Sequence, residues 1–89
     1  MLFMTIFTYE PEKRDEVIKR AVSKGTMLPE GAKNLGQWSS TAGGRVFRLI
    51  ELDDPIVAYQ GTYAWSDLGK VEVIPVMDTE ELLNTLAEM

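Results

Sequence analysis

The chain of 89 residues contains neither cysteine nor histidine. Without cysteine there is no disulfide framework, no thiolate nucleophile and no thiolate metal site. Without histidine there is no Ser-His-Asp triad, no imidazole base and no histidine-ligated zinc, haem or non-haem iron. Carboxylates alone could hold Mg²⁺ or Ca²⁺, but no EF-hand spacing occurs, so no metal and no cofactor are expected. Basic residues are scarce as well, with 9 Lys and Arg against 14 Asp and Glu and a net charge of −5. That balance opposes nucleic acid or an anionic membrane as a partner. No long apolar run exists either. Met1–Phe7 lacks a basic leader, is too short to span a bilayer and runs into a charged segment, so it reads as a strand of a cytoplasmic protein.

What remains is the composition of a folded domain, 45% hydrophobic and 26% charged. One domain over residues 1–89 is all the length allows. Surface scaling gives roughly 5,200 Å² folded against about 14,500 Å² unfolded, which leaves a modest core that a partner subunit would help.

Leu2–Tyr9 is rich in β-branched and aromatic residues and reads as a strand. Pro11 and the acidic residues behind it open a helix whose apolar stripe is Val17, Ile18, Ala21 and Val22, stopped at Gly25. Asp15 with Lys19, and Glu16 with Arg20, form i,i+4 pairs. After a Pro29/Gly31 loop, Asn34–Ser40 and Arg45–Leu52 form a hairpin around Thr41–Gly44. Asp53-Asp54-Pro55 caps a second helix running to about Leu68, in which Gly61 suggests close packing on the sheet. Lys70–Met77 is a strand whose Pro75 suits an edge. Asp78 and Glu81 start a last helix carrying Leu82, Leu83, Leu86 and Met89. The order β-α-β-β-α-β-α matches a ferredoxin-like α+β sandwich with an added C-terminal helix.

Alternation along the strands gives two residue sets. Leu2, Met4, Ile6, Val46, Ile50, Leu52, Val71 and Val73 make the better helix-facing layer, with Arg48 sitting awkwardly in it. Phe3, Thr5, Phe7, Tyr9, Phe47, Leu49, Glu51, Glu72, Ile74 and Val76 form the other face. That face is too apolar to meet water. Either the last helix or a second subunit covers it, and a two-fold homodimer burying Phe3, Phe7, Phe47 and Leu49 is expected.

Three stretches carry a resemblance. Met1-Leu2-Phe3-Met4 through Thr8-Tyr9-Glu10-Pro11, Gly44-Arg45-Val46-Phe47 into Glu51-Leu52-Asp53-Asp54-Pro55, and Trp65-Ser66-Asp67-Leu68 before Val73-Ile74-Pro75-Val76 resemble the domain of unknown function family 3303. The resemblance implies a fold that pairs as a dimeric α+β barrel and brings no established activity. More broadly the arrangement is similar to the dimeric α/β-barrel superfamily, which includes small monooxygenases and isomerases. The family pattern implies a polar residue where Phe7 stands and a small one where Arg48 stands.

The candidate ligand-binding residues are Glu51, Trp38, Tyr9 and Phe7. Glu51 shares a face with Phe47 and Leu49, and if the protein is an enzyme it is the general acid or base. Trp38 could stack a flat ligand, whereas Trp65 suits packing of the second helix on the sheet. The third strand faintly echoes an RNA-recognition motif, but Glu51 stands where an aromatic is needed and the basic surround is missing. Two functions stay open. One is a dimeric barrel binding an apolar or aromatic small molecule between its sheets. The other is a non-catalytic module whose apolar face serves dimerisation only.

Overall fold

The computed structural model describes residues 1–89. In chain order it contains β1 (Leu2–Thr8), α1 (Arg14–Lys24, entered through a 3₁₀ turn at Pro11–Lys13), β2 (Lys33–Ser39), β3 (Arg45–Glu51), α2 (Pro55–Trp65), β4 (Lys70–Val76) and α3 (Thr79–Ala87). The four strands form one antiparallel sheet in the order β2-β3-β1-β4. This is the ferredoxin-like arrangement, and β4, which carries Pro75, lies at an edge where its missing N–H costs nothing.

Local chemistry fixes the boundaries. Gly25 ends α1 at φ 69°, a conformation open to glycine, and its N–H closes on the Ala21 carbonyl at 2.9 Å. The Asp54 carboxylate accepts from the Ile56 N–H at 2.9 Å and so caps α2, while Asp53 takes no part in that cap. Asp78 accepts from the Glu81 N–H at 3.0 Å and starts α3. Gly69 is required where α2 hands over to β4, because a Cβ there would collide with the Thr8 carbonyl oxygen. At Gly61 the sequence expectation fails. The missing Cβ leaves room for the Pro29 ring, not for the sheet.

The strand register corrects the two residue sets. Phe7 lies opposite Val46 and Val71, Thr5 opposite Arg48 and Val73, and Phe3 opposite Ile50 and Pro75. Residues directly opposite share a face, so β1 turns the other way from the sequence reading. Phe3, Thr5 and Phe7 look toward the helices. Leu2, Met4 and Ile6 look outward with Phe47, Leu49, Ile74 and Val76. The expected dimer face of Phe3, Phe7, Phe47 and Leu49 is therefore divided between opposite sides of the sheet.

The core is small. Val17, Trp65 and Leu68 are buried together, with Phe7, Tyr9, Met27, Ala64 and Val71 packed against them. Of the expected α1 stripe only Val17 is buried, and Ile18 and Val22 are exposed. The expected i,i+4 pairs do not form ion pairs. Arg20 instead reaches across to Asp67, with two bonds of 2.7 Å, and to the Ala64 carbonyl at 2.9 Å. This clamp ties α1 to the end of α2. The bidentate bond from Arg20 holds the Asp67 carboxyl below its ordinary range, and Asp67 in turn raises the guanidinium.

Every residue of α3 is exposed, including Leu82, Leu83 and Leu86. The helix stands off the body and leaves the outer face of the sheet uncovered. The whole chain spans 50 × 29 × 17 Å with a radius of gyration of 14.8 Å. A compact chain of this length would have about 12 Å. No helix is long and apolar enough to cross a membrane.

Candidate functional site

Between the helices and the inner face of the sheet lies a cavity of about 260 Å³. Its floor follows from the register. Val46, Phe7 and Val71 form one apolar row across three strands. The next row is Gln37, Arg48 and Thr5, and Ile50 continues the floor beyond it. Helix α2 supplies Val57, Ala58, Gly61, Thr62 and Trp65 as one wall. Residues Val17 and Ala21 of α1 and the loop segment Gly25, Thr26, Leu28 and Pro29 close the other side. Small residues at 21, 58 and 61 leave this space open. Larger side chains there would fill it.

Arg48 is the only charged residue in the lining. Its Nη2 donates to the Thr26 carbonyl at 3.3 Å, and this is the guanidinium's one hydrogen bond to the protein. Its Nε is buried without a partner. None of the three ion pairs in the molecule involves it. Burial lowers its pKa from the ordinary value, since the charged form loses hydration. The same Thr26 carbonyl accepts from Trp65 Nε1 at 3.1 Å. Trp65 thus faces the cavity on one side and stacks toward Phe7, 5.5 Å away between ring centroids, on the other. Met27, the residue after this carbonyl, sits at φ 54°, an uncommon conformation outside glycine, and so helps set the direction of the Thr26–Met27 peptide.

The four residues singled out from the sequence do not meet. Phe7 lines the cavity. Tyr9 stands next to it at the strand end, ring centroids 5.5 Å apart, packed against the core without reaching the cavity lining. Trp38 and Glu51 belong to the outer face. Trp38 lies opposite Phe47, is 56% exposed and lays its indole over Gly36. Glu51 is exposed at the strand end, opposite Lys33 and Leu2. Arg48, which the alternation puts in the helix-facing layer, is the cavity residue that the sequence reading does not single out as a site. A signal for it existed: Thr5 and Arg48 each interrupt an apolar alternation, and pairing those two interruptions fixes the parity of β1 against β3. Nowhere do three or more Asp and Glu side chains converge as a metal site would require.

The outer face is the complement of this site. Leu2, Met4, Ile6, Phe47, Leu49, Ile74 and Val76 form its centre, with Lys33, Glu51, Arg45 and Glu72 around them. The Arg45 guanidinium lies 5.0 Å from the centre of the Phe47 ring.

Among solved structures the chain is similar to a Deinococcus radiodurans protein provisionally named an antibiotic biosynthesis monooxygenase. The two share 12% identity and a TM-score of 0.48 over 88% of this chain and 93% of the other. No curated protein matches the sequence. The family model described as "Domain of unknown function (DUF3303)" matches residues 1–89, and the chain belongs to that family.

Proposed function

We propose that the protein binds a small apolar or aromatic molecule in the cavity between its helices and its sheet. The observation that carries this reading is the cavity itself. Its 260 Å³ exceeds the ~150 Å³ that suffices for benzene in an engineered apolar cavity and falls just short of the ~300 Å³ at which drug-sized sites begin. A ring with a short substituent is therefore the matching size. The lining is mostly apolar, with Gln37, Arg48 and Thr5 in one row of the sheet and Thr26 and Thr62 outside it, the composition usual for ligand sites. A thermal-shift screen with aromatic and branched aliphatic compounds tests it. A ligand at a hundred times its Kd adds about 2.7 kcal/mol, a rise of many degrees for a domain of this size. A screen at millimolar concentration in which no compound raises the melting temperature contradicts the reading.

A second reading, assembly through the outer face, has its own support. The chain exposes 6487 Å², roughly a quarter more than the ~5,200 Å² expected of a compact chain. That excess is larger than the ~800 Å² per partner of a standard interface. Leu82, Leu83 and Leu86 of α3 and Ile74 and Trp38 of the outer sheet face are among the large apolar residues left exposed. A two-fold homodimer buries both. The two readings are compatible, since the cavity and the outer face lie on opposite sides of the sheet. If the protein is an enzyme, Glu51 is outside the cavity and unsuited to be its acid or base.

A further inference from the structure

Arg48 is an anomaly in physical terms. A guanidinium has five N–H donors and no acceptor. Here one donor meets a protein carbonyl, and the Nε–H is buried with nothing to receive it. An unsatisfied buried donor works against the fold, more so when it is charged. Proteins ordinarily neutralise such a charge with Asp or Glu, and this chain has 14 of them. None lines the cavity. Nor does the fold need Arg48 to hold the Thr26 carbonyl, because Trp65 Nε1 already donates to it.

We propose, building on the small-molecule reading above, that the cavity's occupant carries a carboxylate that docks on Arg48 while its apolar body lies against Phe7 and Trp65. The guanidinium fork matches a carboxylate in two parallel hydrogen bonds, and the match strengthens in an apolar surround. Charge counting selects a monoanion. One cation faces the cavity, with no second Lys or Arg to balance a phosphate dianion. Gln37 flanks Arg48 in the same row and offers a neutral hydrogen bond to whatever oxygen the fork leaves free, while the Thr5 hydroxyl on the other side donates to the Arg48 carbonyl. Most of the remaining lining is apolar and fits a ring or a branched chain. The ligand class is thus a small aryl or branched-alkyl carboxylic acid in its ionised form.

Calorimetric titration with 3-phenylpropionate and its primary amide tests this, since the two share a shape and differ in charge. The wild-type protein should bind the acid at least about tenfold tighter than the amide. In Arg48→Met the two should bind alike, and Arg48→Lys, which keeps the charge but not the fork, should keep part of the preference. Circular dichroism checks that each variant folds, and the wild-type comparison stands without them. If the amide binds as well as the acid, the cavity reading survives and the carboxylate inference falls. An acid preference undiminished in Arg48→Met also overturns it. If neither compound binds at millimolar concentration, the carboxylate inference falls, and the thermal-shift screen decides the cavity reading separately.

Discussion

The two faces of this sheet are made by the same strands at the same spacing, yet their polar residues are arranged in opposite ways. On the outer face the centre is apolar and the charges, Lys33, Arg45, Glu51 and Glu72, stand around it. On the inner face the rim is apolar and the one charge, Arg48, is in the middle under the helices. An apolar centre with a charged border is the anatomy of an interface. A half-buried charge with an unpaired Nε in a mostly apolar surround works against the fold, which is what the proposed ligand would offset. In the proposal made above, assembly belongs to one side and recognition to the other.

The sharpest way to break this contrast is to put a charge at the centre of the outer face. Leu49→Glu would bury a carboxylate in the proposed dimer interface, at a cost of more than about 3 kcal/mol if it is left unpaired there. In a single chain the same position borders water and the cost is small. Sedimentation should show the wild type at twice 10.0 kDa and the variant at 10.0 kDa, both folded. A wild type that sediments as a single chain at micromolar concentration removes the assembly half of the account.

The inner face predicts a change of the opposite sign. Arg48→Met removes the half-buried guanidinium with its unpaired Nε, keeps much of its volume and leaves the Thr26 carbonyl bonded to Trp65. The ligand-free protein should gain stability, by about 1–3 kcal/mol in chemical denaturation. Such a gain is the usual mark of a residue kept for function. Loss of stability would mean that Arg48 is structural.

The smallest effect belongs to neither face. Asp67 titrates low because Arg20 holds it, so it binds its proton less readily when folded. Its contribution to stability is present above the unfolded value of about 3.9 and disappears as pH falls through the lower folded value. Asp67→Asn should therefore flatten the acid limb of the stability profile below about pH 4 and leave the shape of the profile above it unchanged. Both groups are solvent-exposed enough that salt should weaken the effect.

Much of the fold was legible because local chemistry states it. Gly25, Asp54-Pro55 and Asp78 mark helix ends, Gly43 and Gly44 at φ 83° and 81° mark the hairpin, and Pro75 marks an edge. The site was less legible because it depends on the register between strands distant in sequence. A one-residue slip in pairing moves every side chain of a strand to the other face. In β1 both parities are apolar, so hydrophobicity could not choose between Leu2-Met4-Ile6 and Phe3-Thr5-Phe7. Phe7 was recognised for its chemistry but assigned to the wrong side. Glu51 lies on the outer side, where the alternation puts it, and Trp38 lies there too, both away from the cavity. The exposure of Ile18 and Val22 was equally unreadable, since a helical stripe shows which residues could be buried and not how far the sheet extends beneath them.

The chain carries its own reporters for the two faces. It has two tryptophans, Trp65 in the cavity wall with its indole N–H on Thr26, and Trp38 on the outer face. Amide-correlation NMR resolves one indole N–H signal for each. Titrating 3-phenylpropionate at constant protein concentration should move the Trp65 signal and leave that of Trp38 in place. Movement of Trp38 with Trp65 unchanged would put the ligand on the outer face and contradict the division of labour between the two sides of the sheet.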